Sequence, residues 1–222
     1  MEPAPQPRST YRHGDLRRAL IDAGMELARS GGPQAVVLRE ATRRAGVVPN
    51  AAYRHFANRL DLLGAVRSAA IAAVAVAMEK EFARAQRRFG TAPVDKARIA
   101  RESLRAVGRG YLRFAFAEPG LFRTAFVSAA ETGEGPHAHR VADPARAGAS
   151  GRNPFQLLGD ALDRYVEAGL LPPDRRPGAE YLAWSTVHGL AMLALDGPLR
   201  GTPASKLRVL GDRIIGMVER GL

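Results

Sequence analysis

Apolar positions along this chain return every three or four residues rather than every second one, the period of a helix face and not of a strand. Leu16, Leu20, Ala23 and Leu27 define a first short amphipathic helix, with Asp15 placed to cap its start and Gly31, Gly32 and Pro33 to stop it. A second short helix is expected from Leu38 to Ala45, ended by Gly46. A third runs from Pro49, a residue suited to the first helical position, to near Phe56. Asn58 then caps a long helix through Arg88, with Asp61 three residues on in an arrangement like a capping box. Later segments predict helices from Lys96 to Glu118, from Pro119 onward, from Asn153 and Pro154 to Gly169, from Gly178 to Asp196, and from Thr202 and Pro203 to Arg220. The last of these carries the apolar stripe Leu207, Leu210, Ile214, Ile215 and Val218. Residues 132–152 are rich in Gly, Pro, Ala and His without apolar period and are expected to form a mobile loop. No fixed-period repeat occurs, and the pattern as a whole implies an all-α fold.

Composition sharpens this picture in two respects. With 46% hydrophobic and 25% charged residues in 222, the chain has enough apolar material for real cores, which excludes wholesale disorder. Its 33 Lys and Arg against 22 Asp and Glu leave a net charge of +11, a balance that points to an anionic partner, nucleic acid or an acidic surface. All the basic residues but Lys80, Lys96 and Lys206 are Arg, a skew that a GC-rich genome also produces, so no function is assigned to it. The absence of cysteine excludes disulfide scaffolds, thiolate zinc sites and cysteine nucleophiles. The longest uncharged run, Tyr181 to Leu195, falls short of the roughly 20 apolar residues of a membrane span. The first residues, MEPAPQPRSTYRHGDLRR, contain no apolar stretch of the kind a signal peptide has. A cytoplasmic protein with no membrane partner is expected.

The segment Leu38 to Phe56, LREATRRAGVVPNAAYRHF, has the form of a helix-turn-helix: two helices, a Gly-containing turn, and a second helix short enough to enter a major groove. Gly46-Val47, then Tyr53-Arg54-His55-Phe56, then Arg59 and Leu62-Leu63 make the pattern specific. Over roughly residues 11 to 65 it resembles the DNA-binding domain of the tetracycline-repressor (TetR) family of bacterial regulators. The resemblance implies a three-helix reader followed by a dimeric, usually ligand-sensing helical domain. It implies that Pro49, Asn50 and Ala51 face base edges, Asn50 alone being able to contact adenine through two bonds. It implies that Arg39, Tyr53, His55 and Arg59 hold phosphates; the role of Arg54 stays open. Phe56 and Val47 are read as core residues. Val37 and Val48 stand where the family usually has Ser or Thr at helix starts, and each lost hydroxyl costs on the order of 0.5 to 2 kcal/mol. Arg8, Arg12, Arg17 and Arg18 form a basic arm, either a minor-groove or phosphate grip or a solvated tail.

A second resemblance lies at Trp184 to Gly197, WSTVHGLAMLALDG, preceded by Phe114 to Phe122, FAFAEPGLF. Both are similar to the regulatory domain of a TetR subgroup named for its Trp-His-Gly residues, here Trp184, His188 and Gly189. Trp184 and His188, four apart, share a helical face that lines a ligand cavity or fills a solid core. In the cavity reading the wall comprises Tyr111, Phe114, Phe122 and Phe126 with Trp184, His188 and Met192, and suits an apolar or aromatic effector with one polar group.

Catalysis finds no support: there is no Walker-type loop, no H-E-x-x-H and no G-x-S-x-G. His137 and His139 lack carboxylates at ligand spacing and are read as solvated, so neither metal nor cofactor is expected. Asp160, Asp163 and Glu167 are read as an exposed charged face. The expected organisation is a flexible arm over residues 1–10, a helix-turn-helix domain over 11–60, and a ligand-sensing and dimerisation domain over 61–222. The expected function is a homodimeric transcriptional regulator, a repressor released from a pseudopalindromic operator by a small molecule. A nonspecific DNA-compacting protein explains the charge but not the reader motif, and a helical enzyme built on His188 lacks a complete catalytic set.

Overall fold

A computed structural model describes residues 13–89, 95–128, 131, 135 and 139–222, with side chains from Leu16 on. Among the described residues there are helices and turns but no strands. The helices are α1 (His13–Gly31), α2 (Leu38–Ala45), α3 (Pro49–Ala52), α4 (Arg59–Arg87), α5 (Lys96–Ala117), α6 (Pro119–Ala125), α7 (Pro154–Glu167), α8 (Ala179–Leu195) and α9 (Ala204–Gly221). Helix α1 begins earlier than its apolar period suggests, so Asp15 lies in its first turn and is not its cap. Helix α3 is shorter than expected. After Ala52 the chain continues in single turns, with His55 N–H on the Ala52 carbonyl at 2.9 Å and Phe56 N–H on the same oxygen at 3.0 Å.

Two helix starts are built as the sequence indicates. Asn58 accepts from the Asp61 N–H at 3.0 Å, while the Asp61 carboxylate reaches back to the Ala57 N–H at 3.0 Å, one residue before the cap. Asn153 and Gln156 form a complete capping box at α7, with reciprocal bonds of 2.9 and 3.0 Å. By contrast, neither Val37 nor Val48 supplies a side-chain cap to α2 or α3.

The first three helices close on one small core of Leu20, Leu27, Val36, Ala41, Ala52 and Phe56, which runs without a break into Leu62, Leu63 and Val66 of α4. Helix α4 then passes through the larger domain, burying Ala70, Val74 and Met78 mainly against α5. By length and composition α4 is apolar enough to cross a membrane, which the run 181–195 is not. Here its apolar side is engaged in packing against α1, α5 and α6. Helix α9 is tied to α5 by Arg109–Asp212 at 2.7 Å and by Arg105 on Glu219, to which Tyr165 of α7 also donates at 3.0 Å.

One contact brings the two parts together through backbone alone. The first turn of α6 lies on the end of α1, and a Cβ added at Gly120 would sit 2.2 Å from the Ala28 carbonyl oxygen and 2.5 Å from that of Arg29. Only glycine fits there. Arg29 and Glu118 pair across the same junction at 3.0 Å.

Candidate functional sites: a helix-turn-helix surface and a buried cavity

The turn between α2 and α3 depends on Gly46, whose φ of 68° is left-handed, and it is closed by the Val47 N–H on the Thr42 carbonyl at 3.1 Å. Buried Ala52 and Phe56 fix which side of α3 faces inward. What remains outward is the set singled out from sequence: Pro49, Asn50, Arg54 and Tyr53 are exposed, the last at 59%, while Ala51 and His55 are half-buried. Arg39 is exposed in the first turn of α2. Arg17 of α1 lies over the Phe56 ring, 5.3 Å from its centroid, so its cation also stands beside this surface.

Arg59 is anchored within the protein. Its Nε donates to the Val36 carbonyl at 2.9 Å and its Nη2 to the Pro33 carbonyl at 2.7 Å, which makes it a staple between the start of α4 and the turn before α2. The sequence motif placed it next to the reader but could not show these two backbone partners; the side chain stays partly exposed, with further donors not used by these bonds. Glu40 is a feature that motif reading missed. It accepts from Arg43 at 2.9 and 2.6 Å and from Arg44 at 3.4 Å, and the Arg43 hydrogen bonds hold its carboxyl down to about 2. Arg8 and Arg12 of the expected arm lie outside the described residues.

The larger domain encloses a cavity of about 180 Å³ among α4, α5, α7, α8 and α9. Its wall is mostly apolar, with Ile71 and Met78 from α4, Leu104 and Val107 from α5, and Val187 and Ile215 opposite. Of the seven residues expected to line a cavity, Tyr111, Phe126 and Trp184 do so. Phe114, Phe122, His188 and Met192 do not. Phe122 is fully buried behind the wall, its ring edge-on to Tyr111 at 5.3 Å, and Phe114 is likewise part of the core. Met192 is on the outer side of α8, 38% exposed.

His188 stands one layer back, with Nδ1 2.7 Å from the Tyr111 hydroxyl, which also accepts from Trp184 Nε1 at 3.1 Å. Trp184 leaves the Tyr111 O–H available to donate to Nδ1 when the imidazole carries its proton on Nε2; in the other tautomer Nδ1–H donates to the Tyr111 oxygen. Burial lowers the pKa of His188 and raises that of Tyr111, so both groups stay neutral. The His188 ring therefore orients two wall residues instead of meeting a ligand.

Sequence reading missed the polar part of the wall, which consists of Arg67, His139, Arg146 and Asn153, with Phe155 beside them. For Arg67 there was a signal: it precedes Ile71, Val74 and Met78 at helical spacing, a cation inside an apolar stripe. For the others there was none, because residues 139–152 carry no period. That stretch is not the free loop expected of it. Arg146 is buried, with Nε 3.3 Å from Ser68 Oγ and 3.1 Å from Asp143 Oδ2. Asn153 Nδ2 donates to the His139 carbonyl at 3.1 Å, and Glu79 of α4 accepts from the Ala149 and Ser150 N–H groups, both at 2.9 Å. Polar tethers leave no apolar pattern to read. His139 packs on Phe155 and Trp184 with centroids 4.8 and 5.7 Å away; His137 lies outside the described residues. Among the described residues no group of His, Asp and Glu is arranged to hold a metal.

Comparison with known proteins returns two family matches. Residues 20–66 match the family model for bacterial regulatory proteins of the tetR family, and residues 104–218 match that for a tetracyclin repressor-like C-terminal domain. A comparison with curated proteins returns no match. Among solved structures, a protein of unknown function from Rhodococcus sp. RHA1 is 24% identical, with a TM-score of 0.66 over 97% of this chain and 99% of that one. A TetR family transcription regulator from Marinobacter aquaeolei VT8 is 20% identical, with a TM-score of 0.60 over 94% and 98%. RolR, solved in complex with its ligand resorcinol, is 17% identical, with a TM-score of 0.59 over 92% and 88%.

Proposed function

The chain belongs to the tetracycline-repressor (TetR) family and is a DNA-binding transcriptional regulator, and from that premise we propose that it is a homodimeric repressor released from its operator by a small aromatic effector. The observation that carries this reading is the continuity of α4: one end is stapled to the reader through Arg59, and its middle supplies Arg67, Ile71 and Met78 to the cavity wall. Helix α6 makes a second such link, with Ala125 and Phe126 at the cavity and Gly120 against α1. A ligand that prefers the cavity in one arrangement of α4 and α6 thereby favours one placement of the reader, and it acts only through that difference in affinity. RolR's resorcinol is a single-ring compound, a size that suits a cavity of about 180 Å³.

On the operator, Pro49, Asn50 and Ala51 face base edges and Arg39, Tyr53, His55 and Arg59 hold phosphates, with Arg54 available to either. Exposed Leu182, Met192 and Leu193 on α8, and Val209 and Met217 on α9, form the stripes through which two copies pair as a four-helix bundle. Gly189 lies within the α8 stripe, and a Cβ added there would meet open space within the protomer, leaving room for close approach of a partner helix. Gly189→Leu should therefore give a folded monomer in sedimentation; a variant that stays dimeric would move the interface elsewhere.

The reading is tested by selecting bound fragments from random DNA with the purified protein and then adding single-ring aromatic compounds to the complex. Recovery of a palindrome with release by at least one such compound is the expected result. Binding without sequence preference, or a palindrome that no compound releases, would overturn the corresponding half of the proposal.

A further inference from the structure

Both helices of the reader are preceded by a buried valine followed by an exposed one. Val36 is fully buried and Val37 is 42% exposed before α2, while Val47 packs on the core and Val48 is 68% exposed before α3. Val37 and Val48 have extended backbone, in which successive side chains point to opposite sides. Each is therefore turned outward because its neighbour is turned in. Outside the reader, the exposed large hydrophobics among the described residues lie on α8 and α9, apart from Val141. The reader is thus the second surface on which apolar side chains stand uncovered. In a helix-turn-helix the first helix crosses the DNA backbone and the second brings its leading residues to base edges in the major groove. Val37 accordingly stands over sugar and phosphate, and Val48 over bases. A valine side chain has neither donor nor acceptor, so it adds nothing at a phosphate. In the major groove its apolar match is the C5-methyl of thymine. Exposed Arg39 and Arg54 of the same unit supply the positive charge that draws the duplex to this surface. Asn50 is the only hydrogen-bonding side chain from Val48 to Ala52, which leaves apolar contact as the other means of reading at the start of α3.

We infer that Val48 is a specificity-determining residue whose side chain packs on the C5-methyl of a thymine in each operator half-site, beside the base pair that Asn50 reads. The inference rests on the operator reading above and adds to it a position that no hydrogen bond from the protein specifies. Val48 acts here through its side chain and not through the backbone N–H groups of α3.

The test uses the full-length protein and the operator recovered from random DNA, remade with uracil in place of thymine at one position at a time in both half-sites. Uracil keeps the pairing and the hydrogen-bonding edge of thymine and lacks only the methyl. At one position the exchange should weaken binding about fourfold per half-site, and so about fifteenfold when both copies are replaced. Val48→Ala should bind the thymine and uracil forms within about twofold of each other, whereas Val37→Ala should keep the difference. At the same position 5-methylcytosine, which presents the same methyl, should bind the native protein more tightly than cytosine does, and this gain should vanish in Val48→Ala. Melting curves check that both variants fold. An operator without thymine in its half-sites, uracil tolerated at every position, or a uracil effect as large in Val48→Ala as in the native protein overturns the assignment. An effect lost in Val37→Ala instead puts the methyl under α2 and overturns it too. Each of these results leaves the regulator reading standing, because the operator has been recovered. Recovery of no preferred sequence removes the operator reading, and the inference with it.

Discussion

The recognition helix α3 has only four residues and starts at Val48, whose φ of −71° and ψ of 140° are the backbone geometry of a helix cap but whose side chain cannot act as one. Val48→Ser adds an acceptor at that point without altering the backbone. A Ser cap contributes ~0.5–2 kcal/mol relative to an apolar residue. Pro49 has no N–H to satisfy, and the Ala51 N–H already reaches the Val48 carbonyl at 3.0 Å, so the lower part of the range applies, ~0.5–1 kcal/mol. Against this stands the lost burial of valine. Val48 is 68% exposed, and a fully buried valine is worth about 1.5–3 kcal/mol, so about a third of that, ~0.5–1 kcal/mol, is given up. The two effects nearly cancel in Val48→Ser relative to the native protein.

The informative comparison is therefore with Val48→Ala, which loses the same burial and gains no cap. Serine should exceed alanine by ~0.5–1 kcal/mol, a difference of ~1–4 °C in melting temperature for a chain of this size. A dimer places two such helices on its operator, so if the cap acts by ordering α3 for DNA, the gain doubles to ~1–2 kcal/mol, or roughly 5- to 30-fold in Kd. Melting curves and operator titrations at fixed salt measure the two numbers separately. Equal melting temperatures for serine and alanine would show that water already satisfies the first-turn donors. A melting difference without an affinity difference would show that α3 is already ordered before DNA arrives.

Three further outcomes follow from named contacts. Glu40→Gln releases Arg43 and Arg44 from their carboxylate partner and should tighten binding to nonspecific DNA, steepening the slope of log K against log salt by about 1 for each phosphate gained; an unchanged slope would remove these arginines from the DNA face. Gly120→Ala puts a methyl into the backbone of α1 and should cost about 1–3 kcal/mol by overpacking, with reduced operator affinity; full stability and affinity would mean that the junction is softer than its distances imply. His188 has a pKa lowered by burial, so the unfolded chain takes up its proton first as pH falls below about 6.5 and stability declines from there, whereas above that value both states are neutral and nothing is lost. His188→Gln should flatten the fall in melting temperature between pH 7 and pH 5; an equal slope in both proteins would place the titration elsewhere.

The helices were legible wherever a residue type acts on its own neighbours. Asn58, Gly46, Asn153 and the two prolines that open α3 and α7 each fix a boundary through local hydrogen bonds or a fixed φ, and each boundary stands within a residue or two of its expected place. The outward face of α3 was legible for the same reason, because burying Ala52 and Phe56 leaves only one side for Pro49, Asn50 and Tyr53. What was not legible depends on partners far away in sequence. Arg59 reads as a surface cation until the carbonyls of Pro33 and Val36 are seen beside it, and Arg146 reads as loop until Ser68 is found 78 positions earlier at its Nε. His188 shows the same limit from the other side: the face it shares with Trp184 was correctly drawn, but helical period cannot tell the residue that meets the cavity from the one that steadies it through Tyr111.

That arrangement bears on how a signal leaves the cavity. Trp184 and Tyr111 are wall residues joined by a hydrogen bond, and Tyr111 is joined in turn to His188, so a ligand that turns either ring must reorganise all three. Phe126 of α6 lies against the same group, 5.6 Å from Tyr111, 6.1 Å from Trp184 and 5.1 Å from His188 between centroids. Close-packed rings do not yield gradually; they exchange one packing for another, and Phe126 is the C-cap of the short helix α6, which Arg123 also ties to Asp196 at the end of α8. The other end of α6 is Gly120, seated on the α1 backbone with no side chain to absorb a shift. In the effector-released repressor proposed above, a change of packing at the rings would reach the reader through α6 as well as through α4, so that the DNA-binding face would respond to occupancy without any ligand contact of its own.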